Sequence, residues 1–249
     1  DFEEAGDEDV IRKLLGDLTS AGVEVTEGEV RAALEAKQVE ARRALMHAEQ
    51  GRQTARLAAL GEWGVLRLGF VGSATYSLMP RVIRAFRRRY PRVEPVIDES
   101  TTIDLLRRVE EHAIDVALVR FPVMEPTAAQ LTLLQPERMM VAVSADSPLA
   151  AHDSVSLAAL AEQPLIIYSR ERVPGMHAFV MQAYAEAGVQ PRVSQEAVQV
   201  QHFLGLVESG LGVAFVPESV GRHLSASLRL LSLEPEPTAF RVGLALACM

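Results

Sequence analysis

The chain has 249 residues, 49% hydrophobic and 23% charged, an ordinary globular composition with length enough for a sizeable core in one or two domains. No apolar run approaches the roughly 20 residues that cross a bilayer, the opening Asp1-Phe2-Glu3-Glu4 is no signal peptide, and a lone Cys248 permits no intrachain disulfide, so a cytoplasmic setting is expected. A net charge of −8 argues against a chain that binds nucleic acid with its surface as a whole.

Residues 1–25 are acidic and weakly patterned, with Leu14, Leu15, Leu18 and Val23 hinting at a short helix and turn. Thr26-Glu27-Gly28-Glu29 reads as a capping box, and the following stretch is rich in helix formers without a proline. Apolar Val30, Leu34, Val39, Leu45, Leu57 and Leu60 recur at helical spacing, which predicts one long helix over 30–60. Such a helix cannot bury a thin apolar stripe on itself, so pairing with a second chain is expected. From Gly64 onward strands and helices alternate. Strands are expected at 65–71, 93–97, 114–119, 139–143, 165–168, from Val193, at 213–216, 228–231 and 241–246. Helices are expected at 78–90, 103–112, 157–162, 176–187, 198–209 and 218–224, and 121–136 reads as a loop. The alternation predicts parallel βαβ units, and the break at the loop predicts two α/β lobes.

Ligands of open α/β sheets bind beyond the carboxyl ends of the strands. The first strand runs into Ser73, the second into Ser100, Thr101 and Thr102, the third into Arg120, and Ile166-Ile167-Tyr168 into Ser169 and Arg170. Hydroxyls at helix starts, beside a guanidinium, suit a small organic anion, although Ser and Thr also stand there simply as caps. Enzyme signatures are missing: Ser73 is in no G-x-S-x-G elbow, the six histidines are scattered, and no cofactor or metal motif occurs. Gly210-Leu211-Gly212 follows a helix and precedes a strand, the wrong order for a dinucleotide fingerprint.

Residues 64–120 (GVLRLGFVGSATYSLMPRVIRAFRRRYPRVEPVIDESTTIDLLRRVEEHAIDVALVR), Ser147 to Ala150, Pro164 to Gly175 and Gln199 to Val220 resemble LysR-type transcriptional regulators, most closely the branch that senses aromatic acids and their ring-cleavage products. The resemblance implies two Rossmann-like lobes of the periplasmic-binding-protein type 2 kind behind a long linker helix. It divides the chain into an atypical segment at 1–25, in which Leu18 to Gly22 looks like the end of a winged helix-turn-helix, a dimerising linker helix at 26–62, lobe I at 63–138 and lobe II at 139–249. It implies an allosteric, non-enzymatic regulator that needs no cofactor. A small aromatic or dicarboxylic acid would sit between the lobes, self-association would give a homodimer or homotetramer, and operator DNA would be met through a domain not recognisable here. Implied effector contacts are Ser73, Thr102 with Ser100 and Thr101 beside it, Arg120, and Phe203 as an apolar wall on the cleft helix. A solute-binding protein of a transport system shares the fold and is the alternative.

Overall fold

The computed structural model describes residues 2–21, 24 and 26–249. They fall into two compact units, one up to Trp63 and one from Gly64 to the end. The expectations placed on Gly22 and Val23 lie outside the described residues.

The first unit is two helices, α1 (Phe2–Ser20) and α2 (Glu27–Ala59). The weak pattern of the first 25 residues thus conceals a 19-residue helix rather than a short one. It is polar nearly all round, and its legible anchor is Ile11, buried like Val30 of α2. Thr26 caps α2 in the expected box: its hydroxyl accepts from the Glu29 amide, and the Glu29 carboxylate accepts from the Thr26 amide at 2.8 Å. The Thr26 amide, and after it the Thr26 hydroxyl, which also donates to this carboxylate, hold the Glu29 carboxyl below its ordinary range. Beyond Val30, Leu34 and Leu57 are partly buried, while Val39, Leu45, Met46 and Leu60 are all about half exposed or more. No helix among the described residues is long and apolar enough to cross a membrane.

The second unit carries two sheets. β1 (Gly64–Phe70), β2 (Val93–Glu99), β3 (Val116–Phe121), β4 (Gln130–Glu137) and β11 (Val242–Cys248) form the first, in the order β2-β1-β3-β11-β4. α3 (Leu78–Arg89) and α4 (Thr102–Glu110) supply its crossovers. β5 (Met139–Ser144), β6 (Ser154–Val155), β7 (Pro164–Tyr168), β8 (Arg192–Ala197), β9 (Val213–Pro217) and β10 (Leu228–Leu233) form the second, in the order β6-β10-β5-β9-β7-β8. Its helices are α5 (Leu157–Ala161), α6 (Pro174–Glu186) and α7 (Val200–Glu208). Leu68, Leu105, Leu118 and Leu244 centre one core, and Val141, Ile166, Phe203 and Phe215 the other.

Three expectations change. The sheets are mixed: β1 pairs in parallel with β2 and β3, but β11 runs antiparallel to both β3 and β4. The stretch expected as a loop over 121–136 contains β4, an edge strand, which is where the missing N–H of Pro136 is tolerated. Residues after 139 do not all belong to the second lobe, because β11 returns to the first sheet. It packs Leu244 and Ala245 into that sheet's core, while Phe240 and Val242 just before them complete the other. A smaller difference is that 218–224 forms a 3-10 turn, Glu218–His223. The glycines of Gly210-Leu211-Gly212 serve the bend between α7 and β9, with φ of +75° and +148°, and Gly212 lies against the Pro164 carbonyl, where a Cβ would collide.

Between the sheets the outgoing chain crosses at one residue, Arg138, whose carbonyl accepts from the Glu218 amide at 2.9 Å and whose guanidinium pairs with the Glu218 carboxylate. Beside this crossing lies a buried ion pair. Arg120 of β3 reaches under β11 to Glu137, the last residue of β4, at 2.6 Å, and also donates to the Gly243 carbonyl at 3.3 Å. Both side chains are less than a tenth exposed. Removing one member of such a pair leaves a charge buried without its partner. We expect Glu137→Gln to lower stability by about 3–5 kcal/mol, and an apolar double replacement of Arg120 and Glu137 to cost less than this single change. Denaturant unfolding of the three chains checks the order.

Candidate functional site

β2, β1 and β3 are neighbours in the first sheet, so the residues that follow them share one edge. Ser73, Ser100, Thr101, Thr102 and Arg120 line a single cavity. The opposite wall comes from the second lobe: Tyr168 at the end of β7, Val173 and Met176 around the start of α6, and Val198 to Val200 leading into α7. A second hollow of about 320 Å³ shares Thr102, Arg120, Val173 and Met176 with the first, so the two form one cleft. That half is apolar, with Ile103, Pro122, Val123 and Phe179, and carries Glu125 and Arg172.

Each hydroxyl has its own situation. Ser73 is buried and accepts a hydrogen bond from Arg120 Nη2. Thr102 Oγ1 accepts from the Arg120 amide at 3.2 Å. A hydroxyl used as an acceptor still has a proton to donate, so both can offer an O–H to the cavity. Thr101 is the N-cap of α4 and accepts from the Asp104 amide at 3.4 Å, so the cap reading applies to it. Ser100 engages the Asp104 carboxylate, which Arg107 first and Ser100 second hold below the ordinary carboxylate range. Ser73 does not open α3. It sits in a short 3-10 turn, Gly72–Tyr76, and α3 begins beyond it at Leu78. Of the two strand ends, only the one after β2 therefore brings an α-helix N-terminus, where the Thr102 and Ile103 amides have no acceptor within α4.

Arg120 holds the wall rather than projecting freely. Its guanidinium is occupied by Glu137, Gly243 and Ser73. Phe203 does not form a wall. It is fully buried in the second core, with its ring 4.5 Å from that of Tyr168, and Tyr168 stands between it and the cavity. The sequence places Phe203 on the correct helix, but it occupies the inward face. Tyr168 is a fixed surface: its hydroxyl donates to the Phe215 carbonyl at 3.0 Å, and burial pushes its pKa to about 12, so it stays neutral. Ser169 and Arg170 line neither hollow, because α6 starts only at Pro174.

Tyr168, Gln199, Met176 and Arg172 escape the sequence reading. Tyr168 is the last residue of its strand, so the strand-end rule reaches it; the other three come from loop and helix starts of the second lobe and carry no local signal. Gly72 marks where the lobes come close: a Cβ there would meet the side-chain oxygens of Glu99 at 2.5 Å and Gln199 at 2.6 Å. Among the described residues no cluster of His, Cys, Asp and Glu could hold a metal.

Residues 59–247 match the family model described as the LysR substrate binding domain. Residues 1–44 match a different model, ATPase inhibitor subunit zeta, where the sequence reading places the end of a winged helix-turn-helix at 18–22. The HTH-type transcriptional regulator AlsR of Bacillus subtilis is 33% identical over 178 residues, covering 72% of this chain and 59% of AlsR. BenM of Acinetobacter baylyi is 32% identical over 186 residues, covering 74% of this chain and 59% of BenM. The chain thus spans under two thirds of the length of these relatives. Among solved structures, the BenM effector binding domain with its effector benzoate superposes with a TM-score of 0.65 at 31% identity, covering 74% of this chain and 83% of that one. Full-length CbnR, at 23% identity and a TM-score of 0.72 over 96% of this chain, shares the fold. Since the first of these models spans most of the sequence, the chain belongs to the LysR substrate-binding-domain family.

Proposed function

We propose that this chain is the sensing part of a ligand-responsive LysR-type transcription regulator, and that its effector is a small organic acid with an apolar, aromatic or dicarboxylic, body. One observation carries the reading: hydroxyl donors at Ser73 and Thr102 and the free amides of α4 meet in a cavity walled by both lobes. A carboxylate fits such a cluster, since anions are favoured at a helix N-terminus by its partial positive charge. The body of the acid would lie along Ile103, Val123, Met176 and Phe179. The acid contacts both lobes, so it binds one relative arrangement better than another, and that difference is the physical requirement for a switch. A coupling of about 1–3 kcal/mol to operator binding, made through a DNA-binding domain, would suffice. The named relatives are regulators, and BenM is solved with benzoate, which supports this reading over transport.

The family regulators act as assemblies in this reading, and α2 is the pairing helix, with Val39, Leu45, Met46 and Leu60 left exposed. β2 is likewise a sheet edge, with Val96 and Ile97 uncovered beside α3, which buries no residue. Isologous pairing is the usual answer to such surfaces. Light scattering at micromolar concentration is expected to give a dimer or tetramer mass, and a monomer mass removes this part of the proposal.

Effector binding is tested by calorimetry with the best acid from a thermal-shift screen. Thr102→Val keeps the shape but removes the donor, and Ser73→Ala does the same beside Arg120. Each is expected to weaken binding by about 0.5–3 kcal/mol, the range for single hydrogen bonds to neutral and charged groups. Unchanged affinity in both, with the acid still bound, reduces these residues to structural roles.

A further inference from the structure

Glu137 belongs to the wall of another cavity besides standing behind the effector cleft. This one is open, about 1060 Å³, and is also built by both lobes. Ser77 and Arg81 come from the start of α3, Gln135 and Glu137 from the end of β4, and Ser219 and Arg222 from the 3-10 turn after β9. No residue of this wall lines the effector cleft.

The charges on the wall do not balance. Both carboxylates are already neutralised, Glu137 by Arg120 at 2.6 Å and Glu218 by Arg138 at 2.9 Å. Arg81 and Arg222 have no ion pair or hydrogen-bond partner among the described residues. Two unopposed guanidinium groups, one from each lobe, therefore face one cavity. The same wall holds a second anomaly. The Ser219 hydroxyl is shielded from solvent and has no hydrogen-bond partner. Buried polar groups are nearly always paired, and an exception calls for an unseen partner.

We propose that this cavity is a second, regulatory site for a doubly charged oxyanion, a phosphoryl group or a pair of carboxylates. Arg81 of the first lobe and Arg222 of the second clamp it. The planar guanidinium fork matches such groups two oxygens at a time. An occupant held from both lobes fixes their relative position. Through the Arg120–Glu137 pair it also touches the wall that carries Ser73. The site itself does not depend on the effector reading; its regulatory consequence does.

The test is a thermal-shift and calorimetric titration of the whole chain with inorganic phosphate and with malonate, against chloride at equal ionic strength. Saturable stabilisation is expected from at least one dianion and not from chloride; a response to phosphate alone assigns a phosphoryl ligand, and one to malonate a dicarboxylate. Arg81→Gln and Arg222→Gln are expected to weaken it about tenfold or more each, as loss of a charge-assisted contact does. Arg222→Lys is expected to restore part of it. Both arginines are exposed, so unligated melting temperatures should match the parent chain. Thr102→Val, in the effector cleft, should leave the phosphate response intact, and any part of the malonate response that it removes belongs to the effector cleft. A dianion response no greater than that of chloride overturns the proposal. So does a response that survives both arginine substitutions, or one that vanishes in Thr102→Val while surviving them, which would put the dianion in the effector cleft.

Discussion

The buried pair of Arg120 and Glu137 is the interaction on which the rest of this structure depends. Arg120 lies on β3 and Glu137 ends β4, and β11 runs between the two strands. The Arg120 side chain, crossing under β11, ties together the sheet, the junction to the second lobe at Arg138, and Ser73 at the cleft. Its backbone amide, meanwhile, orients Thr102. Burying two charges carries a desolvation cost that their attraction does not always offset, so the pair is better explained by what it positions than by net stability. It turns the hydroxyls of Ser73 and Thr102 into acceptors toward the protein and leaves their protons for the cleft.

The cleft, in turn, has a direction. One half offers donors and the first turn of α4, and the other offers hydrocarbon from Ile103, Val123, Met176 and Phe179. A pocket that is mostly apolar with a few convergent polar anchors is the usual form of a small-molecule site. The lobes approach closely beside this donor end, at Gly72, Glu99 and Gln199, which is where a ligand can bias their relative position.

The strands and helices of the second unit were legible because their apolar runs are short, β-branched and separated by helices of clear period, as in Val65 to Val71 and Ile114 to Val119. β4 was not, since an edge strand with Pro136 lacks that pattern, and neither was the return of β11, which is a matter of topology rather than of local sequence. At the site, the strand-end rule finds Ser73, Thr102 and Arg120 because backbone geometry fixes where a strand ends. Phe203, implied by the resemblance alone, lies in the second core and lines neither hollow. The strand-end rule misses Arg172 and Gln199, which arrive only when the second lobe folds over the first. α1 was hidden by its polarity. The stretch around Leu18 carries a helix that continues to Ser20, and residues 1–44 match the ATPase inhibitor subunit zeta model.

In the proposed function an organic acid is held by the α4 N-terminus and the strand-end hydroxyls between the lobes. Backbone amide chemical shifts of the isotope-labelled chain, followed during titration with a bound carboxylic acid, test it most directly. The largest shifts are expected at the amides of Thr102 and Ile103, with Ser73, Val173 and Gln199 moving at the same saturation. Saturable binding with those five amides unmoved, and with shifts confined elsewhere, would contradict it.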